Sequence, residues 1–152
     1  MRLLNAGTYL LILELISPTN VKVRSGKTFV LEPGYYGYVG SALNDLGKRI
    51  DRHLSTKKKL YWHIDYLRQI ASVQSIIFAE SDKRNECLFA QNLILKHQYV
   101  SGFGCSDCRC KSHLVYSSSI EELTDNALAA FKLSNPELAV NDGEVKQLHT
   151  ND

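Results

Sequence analysis

A chain of 152 residues, 44% hydrophobic and 22% charged, amounts to one domain with apolar side chains enough for a single core, which excludes a disordered chain or an array of domains. Eighteen Lys and Arg against sixteen Asp and Glu leave a formal charge of only +2, so any polyanion site has to come from local clustering and not from a global basic field.

The early run "LLILELI" is apolar but short and is broken by Glu14, so it reads as a strand and not as a leader or a membrane span. With no export signal, the expected location is cytoplasmic, with no membrane partner and with the four cysteines reduced. "GTYLLILEL" (7–15) has the character of a buried strand. "NVKVRSGKTFVLEPG" reads as a hairpin, with Val21–Arg24 and Thr28–Leu31 around Ser25-Gly26, closed by turn chemistry at 32–34. "YYGYVG" follows as a strand that puts Tyr36 and Tyr38 on one face.

Asn44 or Asp45 can cap a helix from Leu46 to about Leu54. Leu60, Ile64, Leu67 and Ala71 form the apolar stripe of a second helix. "VQSIIFAE" (73–80) is a strand, and Asp82 opens a third helix running to about His97. "SGFGCSDCRCKSH" is an irregular loop, "LVYS" a short strand, and "SIEELTDNALAAFK" an amphipathic helix opened by the capping pair Ser119 and Glu122. The segment 134–152 reads as a loose polar tail behind a domain over 1–133. This order of elements predicts an α+β fold, a small mixed sheet flanked by helices.

Seven of the cations fall between Lys48 and Arg68, a span with only two acids, Asp51 and Asp65. Lys48, Arg52, Lys57, Lys58 and Lys59 are therefore candidate phosphate contacts, and the "TKKK" run reads alternatively as a solvated loop. Arg49 and His53, at i and i+4, put two donor groups on one helix face just after the strand that ends in Gly40; the plain alternative is a solvated basic face. His63 borders the apolar stripe of its helix, where it can line a phosphate channel, and Trp62 or Tyr66 can stack on a base; a capped helix with aromatic packing accounts for the same residues.

"GTY" (7–9) and "YVG" (38–40) resemble the two signature triplets of the GIY-YIG endonuclease superfamily, with Ser41-Ala42 behind the second. Together with "WHIDYL", the pair Glu86-Cys87 and "GFGCSDCRCKSHL", the chain to about residue 117 is most similar to a GIY-YIG-like family of unknown function from archaea and bacteria. The resemblance implies a GIY-YIG-like fold with an inserted β-hairpin, and a Mg²⁺- (or Mn²⁺-) dependent endonuclease acting on nucleic acid, DNA in preference to RNA. It implies Tyr9 and Tyr38 for activating and orienting water, Arg49 for charge on the phosphate oxygens, His53 one turn after it, and Glu86 as the carboxylate ligand of the metal. Tyr9 and Tyr38 lie 29 residues apart because the hairpin intervenes, and the family's late Asn has no counterpart. Both departures favour an alternative, a nucleic-acid-binding module without the chemistry.

Cys105, Cys108, Cys110 and His113 supply the ligand types of a tetrahedral zinc site in the tight spacing C-x₂-C-x-C-x₂-H. Reduced thiols in a Gly-rich loop are the other reading, with Ser106 or Asp107 near the active face. A zinc-stabilised interaction protein is the corresponding third function. Cys87 reads as a small core residue.

Overall fold

The structure is a computed structural model and describes residues 6–42, 44–55, 59–80, 85–105, 108–134 and 145–149. Eight strands and four helices are placed among them: β1 (Gly7–Leu15), β2 (Thr19–Lys22), β3 (Thr28–Leu31), β4 (Gly34–Ala42), α1 (Leu46–Leu54), α2 (His63–Arg68), β5 (Ser72–Glu80), α3 (Glu86–Ile94), β6 (Gln98–Tyr99), β7 (Leu114–Ser117), α4 (Ile120–Ser134) and β8 (Val145–His149). The main sheet runs β6-β7-β4-β1-β5-β8, and β2 with β3 forms a separate two-stranded ribbon.

The expected α+β layering is present. The sheet is antiparallel in every pairing, where a mixed sheet was expected. The reason is topological: β4 and β5 flank β1 on opposite sides, so each pairs antiparallel with β1 instead of with the other.

β1 is buried on both faces, which explains its nearly unbroken apolar sequence. Tyr9, Leu11, Leu13 and Leu15 face one core, closed by α1, α2, the β2–β3 ribbon and Phe103. Leu10 and Ile12 face the other, closed by α3 and α4. The Phe89 and Phe131 rings lie 4.1 Å apart in that second core. Full burial of an aromatic of this size contributes about 2–3 kcal/mol, so α3, and with it Glu86 in its first turn, is firmly seated.

The Asp45 side chain caps α1 by accepting the Lys48 N–H at 2.9 Å, and Ser119 caps α4 by accepting the Glu122 N–H at 3.2 Å, as the sequence indicates. α2 is shorter than its apolar stripe suggests. The buried Asp65 carboxylate takes the N–H groups of Tyr61 and Trp62 at 2.9 and 2.8 Å and holds that approach outside the helix. The position expected to open the third helix, Asp82, lies outside the described residues, as do Lys57, Lys58, Ser106 and Asp107. Within the segment read as a loose tail, Val145–His149 pairs with β5 from Ala79 to Ser75. The edge of β5 offers unpaired backbone groups, a template that needs no apolar period in the strand that takes it.

Candidate functional site

One cleft of about 1560 Å³ opens where the start of β1, the end of β4, the first turns of α1 and α3, and the tip of the β2–β3 ribbon converge. Tyr9, Tyr38, Arg49 and Glu86, brought from four separate elements, all line it.

The strand register builds its floor. Tyr9 pairs with Gly40 and Leu11 with Tyr38, so the two tyrosines are diagonal neighbours on one face. Tyr9 lies across Gly40, where any Cβ would come within 2.3 Å of the Tyr9 hydroxyl. The glycine of the second triplet is therefore the room that the tyrosine of the first triplet occupies. Gly104, at φ +72°, does the same for Tyr38, since a Cβ there would sit 2.9 Å from the ring.

The Tyr9 hydroxyl is 2.6 Å from His53 Nε2, and the charge of Arg49 acts on it. Burial pushes Tyr9 far above the ordinary phenol range; Arg49, by its charge, pulls it down, and Glu86 adds to the rise. Depression by the adjacent cations, the condition set for Tyr9 to act as a free base, is thus outweighed by desolvation. Tyr38 is raised for the same first reason, then by the neighbouring Tyr9 and Glu86.

Arg49 donates to the Ser41 carbonyl at 3.0 Å and lies with its guanidinium carbon 4.5 Å from the Trp62 ring centre. Arg52 stacks on the same ring at 4.2 Å but spends its fork on Asp65, at 2.7 and 2.8 Å. Arg52, a candidate phosphate contact by sequence, is therefore committed to joining α1 to α2. Burial alone would raise Asp65; the Arg52 fork and the Trp62 and Tyr61 N–H groups overcome this and hold its carboxyl at about 2. The Trp62 ring packs against two guanidinium groups and the His53 ring, 5.9 Å away.

His63 lines the cleft, but its Nδ1 accepts the Gly104 N–H at 2.9 Å and its ring packs on Phe29 and Phe103. Burial, and then the charge of Lys27, lower its basicity, so it serves as a neutral brace. Lys48 and Lys59 are exposed and do not line the cleft. The cations that do line it beside Arg49 are Arg24 and Lys27 of the ribbon tip. Sequence reasoning missed both, although they flank the Ser25-Gly26 turn. The β2–β3 hairpin is a basic wall of the cleft.

A second constellation borders the cleft. Sulfurs of Cys87, Cys108 and Cys110 and a ring nitrogen of His113 all lie within 4.8 Å of one another, a group that can hold a metal ion. This corrects the loop-only set. Cys105 lines the cleft instead, its carbonyl accepting the Cys108 N–H at 3.4 Å in a tight turn, while α3 delivers Cys87 to the fourth place. The available signal was the thiol beside Glu86, in the first turn of a helix.

The family model described as domain of unknown function DUF123 matches residues 8–135. The chain belongs to this family. The matched span contains all the residues of the cleft and of the Cys/His cluster, while β8 falls beyond it. No curated protein and no solved structure matches the chain. No helix among the described residues is long and apolar enough to cross a membrane.

Proposed function

We propose that this family member is a divalent-metal-dependent endonuclease that hydrolyses phosphodiester bonds of nucleic acid, DNA in preference to RNA. The observation that carries the reading is the meeting of Tyr9, Tyr38, Arg49 and Glu86 at one cleft, in a chain whose triplets resemble those of GIY-YIG endonucleases. Arg24, Lys27 and Arg49 supply the positive lining a phosphate backbone needs in a protein of nearly balanced charge.

Glu86 fits a hard cation such as Mg²⁺ or Mn²⁺. One carboxylate is enough for an ion that keeps several waters, and an open cleft of about 1560 Å³ has room for them. Bound there, the ion would neutralise charge gathering on the phosphate oxygens.

The protein's own groups supply the rest. With His53 neutral and its proton on Nδ1, the Tyr9 hydroxyl donates to Nε2 across 2.6 Å. Tyr9 therefore does not need to be ionised in the resting state. It takes a proton from the attacking water as it passes its own to His53, which ends as a buried imidazolium behind Tyr9. Arg49, held by the Ser41 carbonyl and the Trp62 face, presents its free edge to the equatorial oxygens. Tyr38 stands one diagonal step away on the same strand face and orients the water or the phosphate.

The test is cleavage of a panel of single- and double-stranded DNA and RNA, with Mg²⁺, with Mn²⁺ and with EDTA. Cleavage should require the metal and should favour DNA. A second reading, a binding module without chemistry, draws on the burial of Tyr9, which is only 1% exposed. Retention of the same oligonucleotides without cleavage under any metal would select it.

A further inference from the structure

We propose that Cys87, Cys108, Cys110 and His113 form a structural Zn²⁺ site that clamps the start of α3 to the 101–113 loop.

The spacing of the ligand atoms fits a tetrahedral set. Zinc takes sulfur at about 2.3 Å and imidazole nitrogen at about 2.0 Å, so a regular tetrahedron places each sulfur about 3.5 Å from the nitrogen. Cys108 Sγ and Cys87 Sγ lie 3.6 and 3.8 Å from His113 Nε2, and all four ligand atoms fall within a 4.8 Å span. Three soft thiolates with an imidazole select zinc over the hard cation assigned to Glu86, so the two metals do not compete for one site.

The surroundings hold the ligands in place. Cys110 Sγ also lies against the start of α3, 4.0 Å from the Cys87 carbonyl oxygen. The His113 backbone is fixed on both sides, its N–H donating to the Phe103 carbonyl at 2.9 Å and its carbonyl accepting the Val39 N–H at 2.9 Å.

The clamp has a consequence for the cleft. Cys87 follows Glu86 directly, and the loop carrying the other three ligands also carries Gly104, which backs the Tyr38 ring and donates to His63. Zinc would thus fix the Glu86 side of the cleft against the Tyr38 side. That consequence rests on the proposed cleavage; the ligand set does not, and metal content is read without any nuclease assay.

The experiment is elemental analysis of the full chain, expressed with zinc, reduced, and passed through a desalting column containing EDTA. One equivalent of zinc should remain. Cys87→Ser should lose it to background, whereas Cys105→Ser should keep it. Should Cys87→Ser fail to fold, the wild-type chain loaded with Co²⁺ alone gives the second reading, an intense thiolate-to-cobalt charge-transfer band with the visible bands of tetrahedral cobalt. Zinc at background in the wild type, a cobalt spectrum without thiolate bands, a disulfide within the cluster, or loss of zinc in Cys105→Ser with retention in Cys87→Ser would each overturn the proposal.

Discussion

The Tyr9 hydroxyl and His53 Nε2 stand 2.6 Å apart, although 44 residues separate them in the chain. One comes from the floor of the sheet and the other from the last turn of α1. Tyr9→Phe keeps the ring over Gly40 and removes only the proton path. Cleavage should fall by about 10²-fold or more, the range of positioned proton transfer, with the melting temperature little changed. His53→Gln, which removes the acceptor, should lower the rate comparably. Rates unaffected by both would remove the pair from the chemistry.

Arg49 and Arg52 share the Trp62 ring and are expected to do different work. Arg49→Ala should lower single-turnover cleavage by about 10²-fold or more, and Arg49→Lys should restore little, because an ammonium lacks the planar fork. Arg52→Ala strips the fork from an Asp65 carboxylate that is fully buried and should cost about 3 kcal/mol in denaturant unfolding. Interchanged effects would mean that Arg52 faces the substrate.

Asp65 also sets an acid limit. Its folded carboxyl titrates at about 2 against 3.8 for an unperturbed one, so the ionised form stabilises the fold above the higher value. That contribution, on the order of 2 kcal/mol, is lost as pH falls through the lower value. The stability gap between wild type and Asp65→Asn should therefore be full at neutral pH and shrink as pH falls from about 4 toward 2. A gap independent of pH in that window would mean that the charge of Asp65 contributes nothing.

The ribbon tip gives a prediction about binding. Replacing Arg24 and Lys27 together with Ala should flatten the dependence of log affinity on log salt by up to about 1.8 on duplex DNA, near 0.9 for each phosphate no longer neutralised. Fluorescence anisotropy with labelled duplex at several salt concentrations measures this. An unchanged slope would take the ribbon off the path of the nucleic acid.

What was legible in the sequence is what neighbouring residues encode. β4 alternates its side chains, so Tyr36 and Tyr38 could be assigned to one face, and the caps Asp45 and Ser119 mark their helices by local chemistry. Glu86 could be placed on a helix by the apolar stripe of Phe89, Ala90 and Leu93 behind it. What was hidden depends on partners distant in the chain. Asp65 looks like a solvent-facing acid until Arg52 of another helix meets it, and that pairing also delays the start of α2. Cys87 looks like a core thiol until the loop folds over α3. Arg24 and Lys27 belong to a ribbon whose docking on the sheet no local pattern records. β8 lies in a stretch without periodicity and is held by the backbone edge of β5.

Whether the cleft performs metal-dependent hydrolysis is decided most directly by single-turnover cleavage of a labelled DNA panel. Wild type and Glu86→Gln are purified identically and assayed with Mg²⁺ and with EDTA. Glu86→Gln keeps the size of the side chain and removes the charge that would hold the cation. The proposed chemistry predicts cleavage by the wild type with Mg²⁺, none with EDTA, and a loss of about 10²-fold or more in Glu86→Gln, since the cation supplies several kcal/mol of transition-state stabilisation. Equal rates for the two proteins, or a wild type that binds the panel and cuts none of it, would contradict it.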